Sequence, residues 1–195
     1  MAVDKWTENQ FNGIFEMATG TGKTRCAIGA IKKLESEISS FVIVIVVPSD
    51  PLGIQWKEEL EKWGYKATLT MQKSPSRWMQ DVEDFTRLAN LSSDKKFCII
   101  TSYATYSNEK FKNIIFANSK KIFLIADEVH HSGSDKAQDG LDDRYTFKLG
   151  LTATLNRYFD DEGTELIKKF FSGVVFEYNI SDGIRDDVLC PYRYH

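Results

Sequence analysis

The chain has 195 residues, of which 42% are hydrophobic and 27% charged, with a formal net charge of −3. That length suits one α/β domain with a sizeable core and falls short of two. No apolar run reaches the roughly 20 residues of a membrane span, and the acidic balance excludes a protein that grips nucleic acid by bulk basicity, though not one that holds phosphates through amides and hydroxyls.

Residues 1–12 are polar and read as a lead-in, with no secretory signal before Lys5 and Trp6. A short apolar strand is expected at 13–17. A turn rich in Gly and Thr follows, then a helix from Thr24 to about Glu37 with Ile28, Ile31, Leu34 and Ile38 on one face. Residues 41–47 are a continuous apolar run, as a central parallel strand buried on both faces requires. Pro48-Ser49-Asp50-Pro51 stops it. Asp50 can cap a helix that has Pro51 at its first position and Leu52, Trp56, Leu60 and Trp63 at helical spacing.

Further strands are expected at 66–71, 96–101, 122–126, 145–151 and 174–178. Between them lie a helix opened by Ser74-Pro75, with Trp78, Val82, Phe85 and Leu88 inward, and one capped by Ser107, with Phe111, Ile114 and Ile115. A third carries Leu166, Ile167, Phe170 and Phe171, and a short one spans 181–189. Residues 129–143 read as a surface loop, and Tyr192–His195 as the start of an element the chain does not finish. Alternating strands and helices predict a three-layer fold, a mainly parallel sheet with helices on both faces, in a single domain over 1–195. Cys26, Cys98 and Cys190 are odd in number and lack metal-ligand spacing, which suits buried, reduced thiols in a cytoplasmic protein.

Ligands of such sheets bind beyond the carboxyl ends of the strands. Three polar clusters follow apolar strands: Met17–Thr24, Asp127-Glu128 and Thr152-Ala153-Thr154. Gly20 and Gly22 permit backbone angles that turn amides toward phosphate oxygens at a helix N-terminus. Lys23 can reach β- and γ-phosphates, and Thr24 can place a hydroxyl on Mg²⁺. The strict phosphate-loop pattern wants Gly at position 17, where this chain has Met; a merely flexible polar turn is the alternative. Adjacent acids within a strand face opposite sides, but at a strand end both can enter a cleft. There Asp127 would hold the metal and Glu128 would orient the attacking water. A solvated strand terminus is the other reading.

These motifs resemble those of superfamily 2 helicases, in the branch related to restriction-enzyme motor subunits. Asp127-Glu128-Val129-His130 looks like their D-E-x-H motif. Met17–Thr24 looks like the first motif, in a branch where the leading Gly is commonly replaced. Leu151–Thr154 resembles the third motif, Val47-Pro48-Ser49 with Leu52, Gln55 and Trp56 resembles motif Ia, and Thr101-Ser102-Tyr103 resembles a strand-binding motif. The matches run in family order over about 13–155, and the tail from Gly183 to Tyr192 resembles the end of the first motor domain.

The resemblance implies a RecA-like P-loop NTPase domain using ATP and Mg²⁺. Thr19, Gly20, Thr21, Gly22, Lys23 and Thr24 would bind ATP, Thr24 and Asp127 the metal, and Lys23, Asp127 and Glu128 would carry hydrolysis. His130, Thr152 and Thr154 would couple nucleotide state to nucleic acid, and Pro48, Ser49, Gln55, Thr101 and Ser102 would lie along one strand, of DNA rather than RNA. The histidines could instead be loop surface, and Arg25 either touches nucleotide or is solvated. Trp56, Trp63 and Trp78 read as core. The adenine-reading glutamine expected upstream is absent, and nothing after Thr154 resembles the second motor domain with its arginines. The chain therefore reads as an excised first domain that needs that partner, with no membrane role. A nucleotide-gated switch or RNA sensor is the alternative function, and a domain with a decayed site the bland one.

Overall fold

The computed structural model describes residues 1–91, 97–119, 121–133, 135–155 and 160–190. In chain order the elements are α1 (Ala2–Glu8), β1 (Asn12–Met17), α2 (Lys23–Glu37), β2 (Val42–Val47), α3 (Asp50–Lys62), β3 (Lys66–Leu69), α4 (Pro75–Leu91), β4 (Phe97–Ser102) and α5 (Tyr103–Tyr106). There follow α6 (Glu109–Asn118), β5 (Ile122–Asp127), a 3₁₀ turn (Val129–Gly133), α7 (Asp135–Gln138), β6 (Phe147–Thr152), α8 (Asp161–Phe171), β7 (Val174–Tyr178) and α9 (Ile180–Arg185).

The strands form one sheet in the order β3-β4-β2-β5-β6-β1-β7. Each recorded pairing is parallel. The apolar run 41–47 explains why β2 sits inside. Ile43, Ile45 and Val47 enter one core and Val42, Val44 and Val46 the other, and every residue of the strand is buried. From β1 the chain steps to β2 and β3 in one direction, then returns through β4, β5, β6 and β7. Right-handed crossovers then put α1, α2 and α3 on one face and α4, α6 and α8 on the other. With all strands parallel, their carboxyl ends share one rim.

Several expectations change. Residues 1–12 are not a loose lead-in: α1 docks through Trp6, which is fully buried and donates its indole N–H to the Lys148 carbonyl at 2.9 Å. Ser49, not Asp50, is the N-cap of α3, and Asp50 is helical in the acidic first turn. Ser102 caps the unforeseen α5, and Asn108 rather than Ser107 caps α6. Within the expected loop 129–143, Val129–Gly133 form a 3₁₀ turn and Asp135–Gln138 form α7, with Val129, Ser132 and Gly133 buried. Trp63 lies just past α3, exposed, with the Lys32 ammonium 3.8 Å above its ring. Leu88 and Leu166 are exposed because the buried faces run through Val82 and Thr86 in α4 and through Ile167, Phe170 and Phe171 in α8. Of the thiols, Cys98 is buried and Cys190 exposed. The expected strand residue Lys96 and the tail 191–195 lie outside the described residues. Among the described residues, no helix is long and apolar enough to cross a membrane.

Burial of Trp6 makes α1 part of the core. Trp6→Ala is expected to lower the unfolding free energy by about 3–5 kcal/mol, read from urea denaturation followed by circular dichroism.

Candidate active site

The loop after β1 is a tight turn. Thr21 donates both its amide and its hydroxyl to the Ala18 carbonyl, at 3.3 and 2.6 Å. Gly20 and Gly22 have φ of +82° and +92°, the left-handed region that side chains rarely adopt. Gly22 is the N-cap of α2, so the loop delivers the chain directly to a helix N-terminus with its positive dipole end. Met17 stands where the strict pattern has Gly because it is the last residue of β1 and its side chain is buried in the core. Its carbonyl accepts from Lys23 Nζ at 3.2 Å.

Across the rim, β5 ends in Asp127. Asp127 is only 6% exposed. Burial pushes its pKa up, against which the Trp56 indole N–H works to keep it ionised. Trp56 Nε1 donates to Asp127 Oδ2 at 2.7 Å, and the Glu128 amide donates to Oδ1 at 3.0 Å. Glu128 is itself left-handed, with φ +50°. That strained residue ends the strand and swings its side chain round, so two adjacent acids line one cleft instead of facing opposite sides. Strain of this kind persists only where surroundings enforce it. Here the Tyr103 hydroxyl donates to the Asp127 carbonyl at 2.9 Å, and the His131 amide to the Glu128 carbonyl at 3.0 Å.

The Glu128 carboxylate lies between two nitrogens. Lys23 Nζ is 4.0 Å from Oε1 and His130 Nδ1 is 3.6 Å from Oε2, both beyond hydrogen-bond reach. His130 Nδ1 is 3.2 Å from Thr152 Oγ1, whose own proton goes to the Thr154 carbonyl at 2.8 Å. With the hydroxyl proton on that carbonyl, the ring nitrogen acts as the donor. The Leu155 amide donates to Glu16 Oε1 at 3.1 Å, tying the turn after β6 back to β1.

A cleft of about 690 Å³ joins these groups. It is lined by Thr19 through Cys26, by Leu52, Gln55 and Glu59 of α3, by Asp127 and Glu128, and by Val188. A larger cavity, about 810 Å³, lies on the other side of Thr19 against Thr154, Tyr178 and Leu189 and contains neither Lys23 nor the acids. Pro48 and Ser49 are exposed beside the cleft, and Ser102 caps α5 at the same rim. Gln55 is exposed and lines the cleft, whereas Thr101 does not fit a direct strand contact, being fully buried with its hydroxyl accepting from Thr70 at 2.9 Å.

The residues suit Mg²⁺, a hard cation that keeps several waters and needs only one or two carboxylates beside substrate phosphates. Asp127 is a carboxylate whose oxygens each take one protein donor, leaving lone pairs, and Thr24 lines the same cleft. Among the described residues there is no cluster of three or more acids, histidines or cysteines that would instead form an all-protein metal cage. Trp56 and Tyr103 escaped the sequence reading as site residues: helical spacing put Trp56 in the core, where it is, and said nothing of its N–H.

The family described as "Type III restriction enzyme, res subunit" matches residues 1–157. The chain belongs to that family. As a member of it, the chain has the RecA-like fold of the first motor domain of superfamily 2 helicases. It is 30% identical over 186 residues to the Rad25 protein of Haloarcula marismortui, a candidate DNA 3'-5' helicase, covering 90% of this chain and 27% of that protein. It is 28% identical to the DNA 3'-5' translocase XPB2 of Sulfurisphaera tokodaii, over 93% of this chain and 35% of that one. The chain thus spans about a third or less of these relatives. Among solved structures, the type ISP restriction-modification enzyme LlaGI superposes with a TM-score of 0.71 at 17% identity, over 96% of this chain and 20% of that one. The Hef helicase domain of Pyrococcus furiosus gives 0.68 at 17%, over 100% and 42%.

The left-handed glycines make the conformation of this loop testable. A Cβ on Gly22 would touch nothing, yet φ +92° makes Gly22→Ala cost about 1–2 kcal/mol. Gly29→Ala, within helical α2 and with no Cβ contact closer than 3.5 Å, is expected to stabilise by about 0.5–1 kcal/mol. Urea midpoints of the two variants should move in opposite directions.

Proposed function

We propose that this chain is the ATP-binding first domain of a DNA helicase or translocase, hydrolysing ATP to drive movement on nucleic acid when joined to a second motor domain. The convergence of Lys23, Asp127 and Glu128 on one cleft, over a left-handed glycine loop, is the observation that carries the reading. The DNA direction draws on the relatives named as a DNA helicase and a DNA translocase, and on the likeness to LlaGI, solved with a DNA substrate mimic.

Residues Thr19–Thr24 would present amides and hydroxyls to the phosphates, and Lys23 would exchange the Met17 carbonyl for phosphate oxygens. Thr24 and Asp127 would hold Mg²⁺, which when bound neutralises charge on the phosphates. Glu128 would orient the attacking water and take its proton. His130, joined to Thr152 and through it to Thr154, would report the state of Glu128 to the turn after β6. Pro48, Ser49, Gln55 and Ser102 would meet the strand, with Thr101 supporting Ser102 from within the sheet. Arginines of the second domain would complete the charge stabilisation, in a cytoplasmic setting.

In the intact parent chain, Glu128→Gln is expected to lower nucleic-acid-stimulated ATPase by about 10²–10⁴-fold while ATP still binds, and Lys23→Ala to remove binding in a calorimetric titration. A nucleotide-gated switch would keep its partner response in Glu128→Gln. The isolated 195 residues should turn over about 10³–10⁵-fold more slowly than the parent for want of the arginines; parent-like turnover by the fragment contradicts the assignment.

A further inference from the structure

We infer that Trp56 is a positioning residue, through which α3 sets the Asp127 carboxylate for the metal that accompanies the nucleotide. The inference rests on the function proposed above and deepens it. Trp56 is 1% exposed, and its N–H meets a carboxylate 71 positions away at 2.7 Å. A hydrogen bond to an ionised acceptor is short and strong. Trp6, equally buried, spends its N–H on a backbone carbonyl, so burial alone does not bring an indole to an acid.

Oδ2 is fixed by Trp56 and Oδ1 by the Glu128 amide, so the plane of the carboxylate is set from two sides and its remaining lone pairs are left for the cleft that Asp127 lines. The two donors come from different places. The amide belongs to the strained turn of the acids themselves, whereas the indole belongs to α3. That helix begins directly after the exposed Pro48-Ser49 rim, and its Gln55 and Glu59 also line the cleft. A helix moves as a rigid rod, so a tilt imposed at its first turn is delivered two turns later as a displacement of the Trp56 N–H. A group contacting Pro48 and Ser49 therefore has a mechanical route to Asp127 that bypasses the phosphate loop. Partners of this kind around a metal ligand typically contribute 10–100-fold in metal affinity or activity.

The test is Trp56→Phe in the full parent chain, which keeps an aromatic ring in the core and removes the N–H, leaving a small cavity for which Trp6→Phe is the control. The Mg²⁺ concentration for half-maximal ATPase should rise about tenfold or more, while the KM for ATP at saturating Mg²⁺ stays within twofold. Mn²⁺ binding to the ATP-loaded protein, followed by electron paramagnetic resonance, should weaken by the same factor, and Trp6→Phe should shift neither curve. In the unmutated protein, the ¹⁵N-indole resonance of Trp56 should move on adding Mg·ATP and broaden with Mn²⁺, while that of Trp6 stays put; this reading needs no variant to fold. Metal curves of Trp56→Phe that overlay the wild type, an equal shift in Trp6→Phe, or an indole signal of Trp56 indifferent to metal would each overturn the inference alone. A wild-type parent that takes up no Mg·ATP would instead overturn the function on which it rests.

Discussion

A carboxylate at the end of a strand buried on both faces is the constraint around which this domain is arranged. Asp127 closes β5, whose six residues are all buried. An acid there loses most of its hydration, a loss tolerable only with donors or a cation at hand. The protein supplies an indole from α3 and an amide from Glu128. It leaves the remaining lone pairs for the cleft, where Lys23 and Thr24 also lie. Each carboxylate oxygen is thus met by one protein donor and keeps lone pairs to spare, while burial still raises the pKa.

The price is local strain. Glu128 adopts a left-handed backbone that its side chain disfavours. The Tyr103 hydroxyl and the His131 amide hold the two carbonyls of this turn. The same turn sends His130 toward Thr152, and Glu16 anchors Leu155 on the far side. Strands β1, β5 and β6 are thereby linked through side chains at their carboxyl ends as well as through the ladder. Glu128 thus has Lys23 at 4.0 Å on one side and, on the other, His130 at 3.6 Å, which leads on to the Thr152–Thr154 turn.

Much of this arrangement is legible without coordinates. The run 41–47 is apolar at consecutive positions, a pattern that only two-sided burial accounts for, and β2 proves to be a wholly buried interior strand. The left-handed φ at Gly20 and Gly22 could be anticipated because no other residue type adopts it freely. What escaped the pattern did so for identifiable reasons. The polar character of residues 1–12 and 129–143 masked Trp6 and Val129, single large side chains whose burial depends on distant β strands. Leu88 and Leu166 are apolar, yet the phase of each helix against the sheet leaves them outside, and Trp63 falls just past the end of α3. Thr101 fits a motif in one dimension, and the pleat aims its side chain into the sheet instead.

Sequence alone determined the order of the strands and the longer helices, the parallel sheet and the three clusters at its rim, because periodicity, glycine placement and strand-end acids are local properties that a single window of chain expresses. Tertiary structure alone decided that the Trp56 indole would meet Asp127, that Glu128 would turn back into the cleft, and that Thr101 would be sealed inside. Each of those outcomes depends on the separation and angle between elements far apart in the chain, quantities that packing sets and that no local pattern of residues encodes.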